Sequence, residues 1–393
     1  MKMIPRRAVS AALLLAFSGF AGAAGFQTYG QNASGLGVSY AGSAAVAENA
    51  STIYYNPAGM TMIPGVQASI GWVGETQSSR FSNRNSSVTG GLTLSGGNGG
   101  DNGDWNSLPN AYFSWQLHPQ WFVGLGISRP YALSSAYDNN WIGRYNAVKS
   151  EIRSLNINPS LAWKVTDRLA LGFGLNHQKL ELDFSNVNAA NVLTTVRADD
   201  SAWGWNAGAL YKLSPSMRVG IAYRSGIDYR LEGTRSLRLN TPGTLTWSVW
   251  QQVSDRWEAM GDLSYTNWHR FNRLDLTPTE NYNFQNAWRF AWGAAYKATD
   301  AWKLKFGVAF EKSPVRDGER DARFTDGNRI WLSLGGQWRP SATSTLDFGY
   351  AYLYQNDAPV RSTQDFGAGN TATLQGRYNN SGHILGIQYS QGF

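Results

Sequence analysis

Among its 393 residues the chain has no cysteine, which excludes a disulfide framework and thiolate metal sites. Its histidines are His118, His177, His269 and His383, too scattered for any pair at metal-ligand spacing, so neither a metal nor another cofactor is expected. Charged residues are scarce at 16%, against about a quarter in ordinary soluble domains. The net charge of +7 is spread thinly, without the basic runs that bind nucleic acid. Long apolar runs are missing beyond the N-terminus, and the mean hydropathy of −0.36 excludes a bundle of membrane helices.

What is abundant is aromatic: 17 Trp, 19 Tyr and 17 Phe. Many of these fall on alternate positions. Trp302, Leu304, Phe306, Val308 and Phe310 are separated by Lys303, Lys305, Gly307 and Ala309. Strand side chains alternate between faces, so this segment has one apolar face and one face of charge and small residues. Leu346, Phe348, Tyr350, Tyr352 and Tyr354 repeat the pattern, and a soluble sandwich would need a second sheet to cover such a face.

About fourteen such segments follow Val66, near 66–79, 108–118, 121–129, 151–164, 168–184, 201–213, 217–231, 242–253, 256–268, 286–298, 301–312, 328–339, 344–355 and 382–393. Short turns such as His118-Pro119, Ser214-Pro215 and Thr299-Asp300 alternate with long connections such as 80–107, 130–150, 269–285, 313–327 and 356–381. An even strand number, with short turns on one side and long loops on the other, predicts an all-β fold. The expected architecture is a membrane β-barrel of about fourteen antiparallel strands, at residues 66–393, in a bacterial outer membrane among its lipid and lipopolysaccharide. Phe393 ends an alternating final strand, which resembles the signal read by outer-membrane assembly machinery.

Two N-terminal segments break the rhythm. Lys2, Arg6 and Arg7 precede an apolar stretch from Val9 to Phe20, and Ala21 and Ala23 stand in an A-x-A arrangement. Residues 1–23 therefore predict a cleaved signal peptide, with the mature chain starting at Ala24. Residues 24–65 are rich in Gly, Ala and Ser without a charge excess, which favours a compact plug in the lumen over a disordered tail. Gly35-Leu36-Gly37 lacks the preceding strand and third glycine of a nucleotide site.

Ala24-Gly25-Phe26-Gln27, Ser34-Gly35-Leu36-Gly37 and Tyr55-Asn56-Pro57-Ala58-Gly59-Met60 resemble the N-terminal hatch of FadL-type transporters. The likeness continues through Trp141-Ile142-Gly143-Arg144-Tyr145, Asn158-Pro159-Ser160-Leu161-Ala162, Tyr223-Arg224-Ser225, Ser313-Pro314-Val315 and Asn328-Arg329-Ile330-Trp331. The resemblance implies outer-membrane channels for long-chain fatty acids and other hydrophobic compounds, toluene-type aromatics among them. It also implies a ligand pocket above the hatch, and a sideways exit through the wall at a kink in the third strand. Gly124 and Gly126 are the carried-over kink candidates, followed by Pro130, which lacks a donor. Ligand binding would shift the hatch around Asn56, Pro57 and Ala58. The logic suits a greasy cargo, because an apolar pocket opening into the bilayer avoids a full return to water.

With aromatic positions taken as outward, Arg218, Arg224, Arg289, Lys303 and Lys305 face the lumen, with acids such as Asp347 and Glu311 to neutralise them. The family's fatty-acid members place basic residues on the fifth and tenth strands. Those positions fall here near Glu181 and at Gln285, with Lys179 and Arg289 close enough to substitute. Within the fifth strand alternation slips, from odd positions (Leu169, Leu171, Phe173, Leu175) to even ones (Leu180, Leu182, Phe184). Either a bulge intervenes or the later trio turns inward. The third and fourth loops, near 185–200 and 232–241, are shorter than in fatty-acid members, so initial capture either looks different or uses the first and last loops, which leaves room for a neutral hydrophobe. Gly96-Gly97-Asn98-Gly99-Gly100-Asp101 is a single copy where calcium-binding repeats need stacked turns. No serine neighbourhood accompanies His177 or His269, so a lipid hydrolase, or any enzyme, is not expected. A general diffusion porin would not need a plug of some forty residues. The expectation is passive uptake of hydrophobic compounds, long-chain fatty acids first and neutral aromatics or alkanes second.

Overall fold

The computed structural model describes residues 25–271, 274 and 282–393. The signal peptide and its cleavage before Ala24 lie outside the described residues. No described helix is long and apolar enough to cross a membrane, and the chain is built from strands.

Fourteen antiparallel strands close into one barrel. They are β1 (Val66–Asn83), β2 (Trp105–His118), β3 (Trp121–Ser128, resuming at Ala132–Ala136), β4 (Lys149–Lys164), β5 (Leu169–Val187), β6 (Leu193–Ser214) and β7 (Met217–Arg224 and Asp228–Gly233). There follow β8 (Leu237–Asn240 and Thr244–Gln252), β9 (Trp257–Thr266), β10 (Ala287–Lys297), β11 (Trp302–Glu311), β12 (Arg329–Trp338), β13 (Ser344–Gln355 and Ala358–Asp365) and β14 (Thr371–Gly392). Each strand pairs with its neighbour in sequence. Closure comes from β1 against β14, from Gln67 opposite Gly392 to Asn83 opposite Gly376. Closure leaves no unpaired edge, as a backbone surrounded by lipid requires.

The alternation of β11 sorts as its sequence demands. Trp302, Leu304, Phe306 and Val308 are exposed on the outer wall, while Lys305 and Ala309 are buried inside. Tryptophans gather where the wall meets its short turns: Trp121 stacks on Trp163 at 5.5 Å and Trp302 on Trp338 at 6.1 Å. This is the interfacial aromatic girdle of a membrane barrel.

Several strands run further outward than their apolar alternation. β6 starts at Leu193, β13 continues to Asp365 and β14 starts at Thr371, so much of the expected loops 185–200 and 356–381 is strand. Past the membrane the outer face meets water instead of lipid, so the apolar-outward alternation disappears although the ladder continues. β5 shows the change of solvent directly. Its register with β6 is unbroken from Leu169 opposite Tyr211 to Val187 opposite Leu193, so no bulge intervenes. Leu171, Phe173 and Leu175 face lipid, whereas Leu180, Leu182 and Phe184 face inward and are buried.

Residues 25–65 fill the lumen with short helical turns, Leu36–Val38, Thr52–Tyr55 and Pro57–Met62. Glycines on the inner wall make room for them. A β-carbon on Gly335 would come within 2.8 Å of the Gly37 Cα, and one on Gly172 within 2.2 Å of the Ala58 nitrogen. The small-residue composition of both partners thus lets two backbones touch across the lumen.

Candidate functional site

Charged side chains of the wall converge on the luminal segment, the hatch. Arg218 donates from Nη2 to the Val46 carbonyl at 3.1 Å, Arg224 from Nη2 to Tyr54 at 2.9 Å, and Arg289 from Nη2 to Ser39 at 2.7 Å. Glu48 of the hatch lies between Lys303 at 3.0 Å and Lys305 at 2.8 Å. Lys305 also reaches Asp347 at 3.1 Å and the Ser34 carbonyl at 2.9 Å. Burial alone would raise the Glu48 pKa, but the two ammonium groups outweigh it and hold the carboxyl well below its usual range. The lumen cations expected from alternation are therefore inside, and each holds the hatch.

Asn56 anchors the middle of the hatch. Its side chain donates to Ala44 O at 2.7 Å and to Ala209 O on β6 at 3.0 Å, and accepts from the Ala58 amide at 3.1 Å. Pro57 starts the following helical turn, where a missing N–H costs nothing. Asn56, Pro57 and Ala58 are all buried against the wall.

The wall itself is interrupted at residues 129–131. β2 and β3 pair regularly from Ala111 opposite Ile127 down to Gln116 opposite Phe122, and meet again only at the Gly103–Ser135 bridge. Between these points the hatch supplies what the neighbouring strand does not. Thr28 N donates to Pro130 O at 2.9 Å and Ala132 N to Phe26 O at 3.0 Å. Gln31 accepts from the Arg129 amide at 3.0 Å and donates to its carbonyl at 2.9 Å. The Arg129 side chain spans the opening, with Nη1 donating to Ser107 O at 2.7 Å and Nε to Ser154 O at 3.2 Å. Pro130 has no N–H to offer a ladder, and the residue before it resists regular pairing.

This corrects the kink expected at Gly124 and Gly126. Both sit in an intact ladder, opposite Ser114 and Tyr112 on one side and Ser160 and Asn158 on the other. Their missing side chains serve packing instead: a β-carbon on Gly124 would meet the Met60 sulfur at 2.5 Å. Lys179 is also corrected. It faces outward, half-exposed, and pairs with Glu181 at 2.8 Å and Asp199 at 3.4 Å. Above the membrane the polar exterior takes the charges of β5 while the lumen takes its leucines. Arg289 does face the lumen, where Tyr29 and Trp331 flank its guanidinium at 4.5 and 5.1 Å. It borders a small cavity of about 50 Å³ that also includes Tyr54, Arg224 and Asp262.

Above the hatch an aromatic cluster fills the outer lumen. Phe26 of the hatch packs on Trp268 at 5.1 Å and Phe271 at 5.2 Å, and Phe271 on Phe284 at 4.9 Å. Phe324, from the connection after β11, meets Tyr282 at 5.0 Å and Phe284 at 5.6 Å. Leu180, Leu182 and Tyr229 complete the wall around it. Phe26 thus belongs both to the apolar cluster and to the backbone that lines the wall opening. No periodic signal marks Phe271, Phe284 or Phe324, because they sit on connections.

A closed, plugged barrel with an aromatic outer lumen and a lateral interruption fits an outer-membrane channel for hydrophobic compounds. The chain belongs to the family described as outer membrane protein transport protein (OMPP1/FadL/TodX), whose sequence profile matches residues 14–393. It is 28% identical to outer membrane protein P1 of Haemophilus influenzae, over 99% of this chain and all of that protein. It is 25% identical to the long-chain fatty acid transport protein of Escherichia coli, covering 86% of this chain and 89% of the other. Its fold is similar to that of a Pseudomonas aeruginosa FadL homologue, with a TM-score of 0.86 at 23% identity over 94% and 100% of the two chains. The Pseudomonas putida toluene transporter TodX has a TM-score of 0.63 at 14% identity, over 88% and 94%. The protein is a bacterial outer-membrane β-barrel transporter of this family, for hydrophobic compounds.

Proposed function

We propose that this channel takes up long-chain fatty acids passively, through the aromatic cluster and out sideways at Arg129–Tyr131. The observation that carries the reading is the sharing of Phe26–Gln31 between cluster and opening. A ligand that displaces Phe26 from Trp268 and Phe271 pulls on the hydrogen bonds that close the wall. Asn56–Ala58, anchored to β5 and β6, stays in place, so movement falls on the N-terminal end of the hatch. The cargo passes from apolar cluster to bilayer with little apolar surface returned to water, about 25 cal/mol for each Å² kept covered. Relatives named as long-chain fatty acid transport proteins support this cargo. A neutral aromatic or alkane is the second reading, favoured by the engagement of Arg224, Arg289 and Lys305 with the hatch.

The absence of native cysteine makes the test clean. In a Ser107→Cys/Arg129→Cys variant, a bifunctional methanethiosulfonate linker would tie the two sides of the opening. Uptake of radiolabelled oleate by cells should fall on linking and recover on reduction. Undiminished uptake through the linked barrel would rule out lateral exit at this place. Free passage of small sugars through the reconstituted intact protein would favour a diffusion pore instead.

A further inference from the structure

The connection between β11 and β12, residues 312–328, folds back into the barrel; its Arg320 and Arg323, and Arg329 just past its end, are all buried but differ in their partners. Arg320 is fully engaged, donating from Nε to Asp326 O at 2.8 Å and from Nη1 to Asp317 at 2.8 Å and Pro359 O at 2.6 Å. Arg329, which opens β12, pairs with Asp326 at 2.7 Å. Arg323 is as buried as they are, at 5% exposure, yet its Nε and Nη1 have no acceptor, and no described carboxylate lies within ion-pair distance. Its backbone is fixed all the same. Asp321 accepts from the amides of Arg323 at 2.9 Å and Phe324 at 2.8 Å, a side-chain turn that aims both residues inward. Tyr137 donates to Ala322 O at 2.8 Å and Asn380 to Thr325 O at 2.8 Å, pinning the turn from two sides.

Arg323 lines a small cavity of about 30 Å³ together with Asn102, Leu133, Ser135, Phe324 and Asp326. Other polar atoms are idle there: both amide atoms of Asn102 and the Ser135 hydroxyl lack a partner. The carboxylate of Asp326 is already occupied, by Gly25 N at 2.6 Å and by Arg329. A buried guanidinium with unmet donors is costly; the nearby Asp321 carboxylate feels the Arg323 charge without closing these donors, which an anion in the cavity would complete. Phe324 belongs to the cavity and to the aromatic cluster alike, so an anionic head here would lie beside apolar surroundings for its tail. Phe184 lies under the guanidinium at 5.2 Å and holds its plane.

We propose that Arg323, assisted by Asn102 and Ser135, is the carboxylate anchor of this channel, binding the head group of a long-chain fatty acid while its tail enters the aromatic cluster. This assignment rests on the uptake reading above and selects the acid over the neutral hydrocarbon. Hydrogen bonds to a charged group are worth about 1.5–3 kcal/mol, or roughly tenfold to a hundredfold in affinity. The test compares oleic acid with oleyl alcohol, which shares its tail, on the full barrel reconstituted in liposomes. Wild type should bind the acid more tightly, Arg323→Gln should lose about tenfold or more for the acid alone, and Arg323→Lys should recover part of it. Infrared spectra of carboxyl-labelled oleate should show a paired carboxylate band in wild type that Arg323→Gln removes. Equal binding of acid and alcohol by wild type would overturn the anchor, as would an equal loss of both ligands in Arg323→Gln. Unchanged acid binding in Arg323→Gln would overturn it too, while leaving hydrophobe uptake intact. Wild type that binds neither ligand would instead overturn the uptake reading, and the anchor with it.

Discussion

Replacing Lys305 by methionine keeps most of the side-chain length and deletes the charge at the centre of the hatch anchor. Lys305 is only 3% exposed, and its ammonium serves Glu48, Asp347 and the Ser34 carbonyl at once. Exposed pairs contribute about 0–1 kcal/mol, but removing one partner of a buried pair costs about 3–5 kcal/mol. Burial places Lys305 in the second class. Glu48 would retain Lys303, whereas Asp347 would keep only the Gln337 amide at 2.9 Å. The barrel ladder does not depend on any of these groups. Withdrawal of the hatch would let water reach Asp347, so the penalty is relieved by undocking and falls on that equilibrium. A cost of 3–5 kcal/mol corresponds to a shift of about two to three and a half orders of magnitude. In planar bilayers Lys305→Met should therefore show open-channel conductance rarely seen in wild type, with residues 25–65 cleaved faster by proteinase K. Conductance and protection equal to wild type would refute the view that this polar cluster holds the hatch. Acid offers an independent route. Because the Glu48 pKa is depressed in the folded state, its contribution is fully present above the ordinary value of 4.5 and is lost as pH falls through the lowered one. Acid-induced opening should thus begin below about pH 4.5 and be blunted in Glu48→Gln, which has no charge left to lose.

The sequence exposed what the bilayer imposes and little else. Trp302 to Phe310 declare their faces because lipid lies on one side and the hatch on the other. Beyond the membrane that contrast vanishes, which is why residues 193–200 and 371–381 carry no strand signal although both continue the ladder. The same change of solvent misleads at Lys179. A lysine near a binding chamber invites a ligand role, but in the outer wall of β5 charge belongs outside and Leu180 and Leu182 belong inside. Pro130, and not Gly124 or Gly126, is the legible mark of the wall interruption, because it has no N–H for a ladder. Arg323 could not be picked out at all. It sits on a connection without period, and what distinguishes it from Arg320 is the lack of an acceptor, a property of the folded interior.

Three further outcomes test the division of labour between wall, hatch and opening. A side chain on Gly307 would drive into the Val38 backbone, at 2.2 Å from its carbonyl carbon for the β-carbon alone, so Gly307→Leu should leave a heat-modifiable barrel whose hatch is protease-sensitive. Deleting the exposed Phe393 should slow assembly in cells, read as a lower folded fraction on unheated gels, without changing uptake per folded barrel. Arg129→Ala tests the opening itself. The arginine closes the gap with two side-chain bonds to carbonyls of β2 and β4, and each bond to a charged group is worth about 1.5–3 kcal/mol before water replaces it. Its backbone bonds to Gln31 do not involve the side chain and should persist. If the side chain is the bar across the exit, Arg129→Ala should raise the rate of oleate uptake severalfold at unchanged affinity, since the binding cluster is untouched. If it is only a prop that shapes the gap, uptake should fall instead. A fall that Arg129→Lys repairs would assign the residue to positioning and leave the hatch strand Phe26–Gln31 as the sole gate.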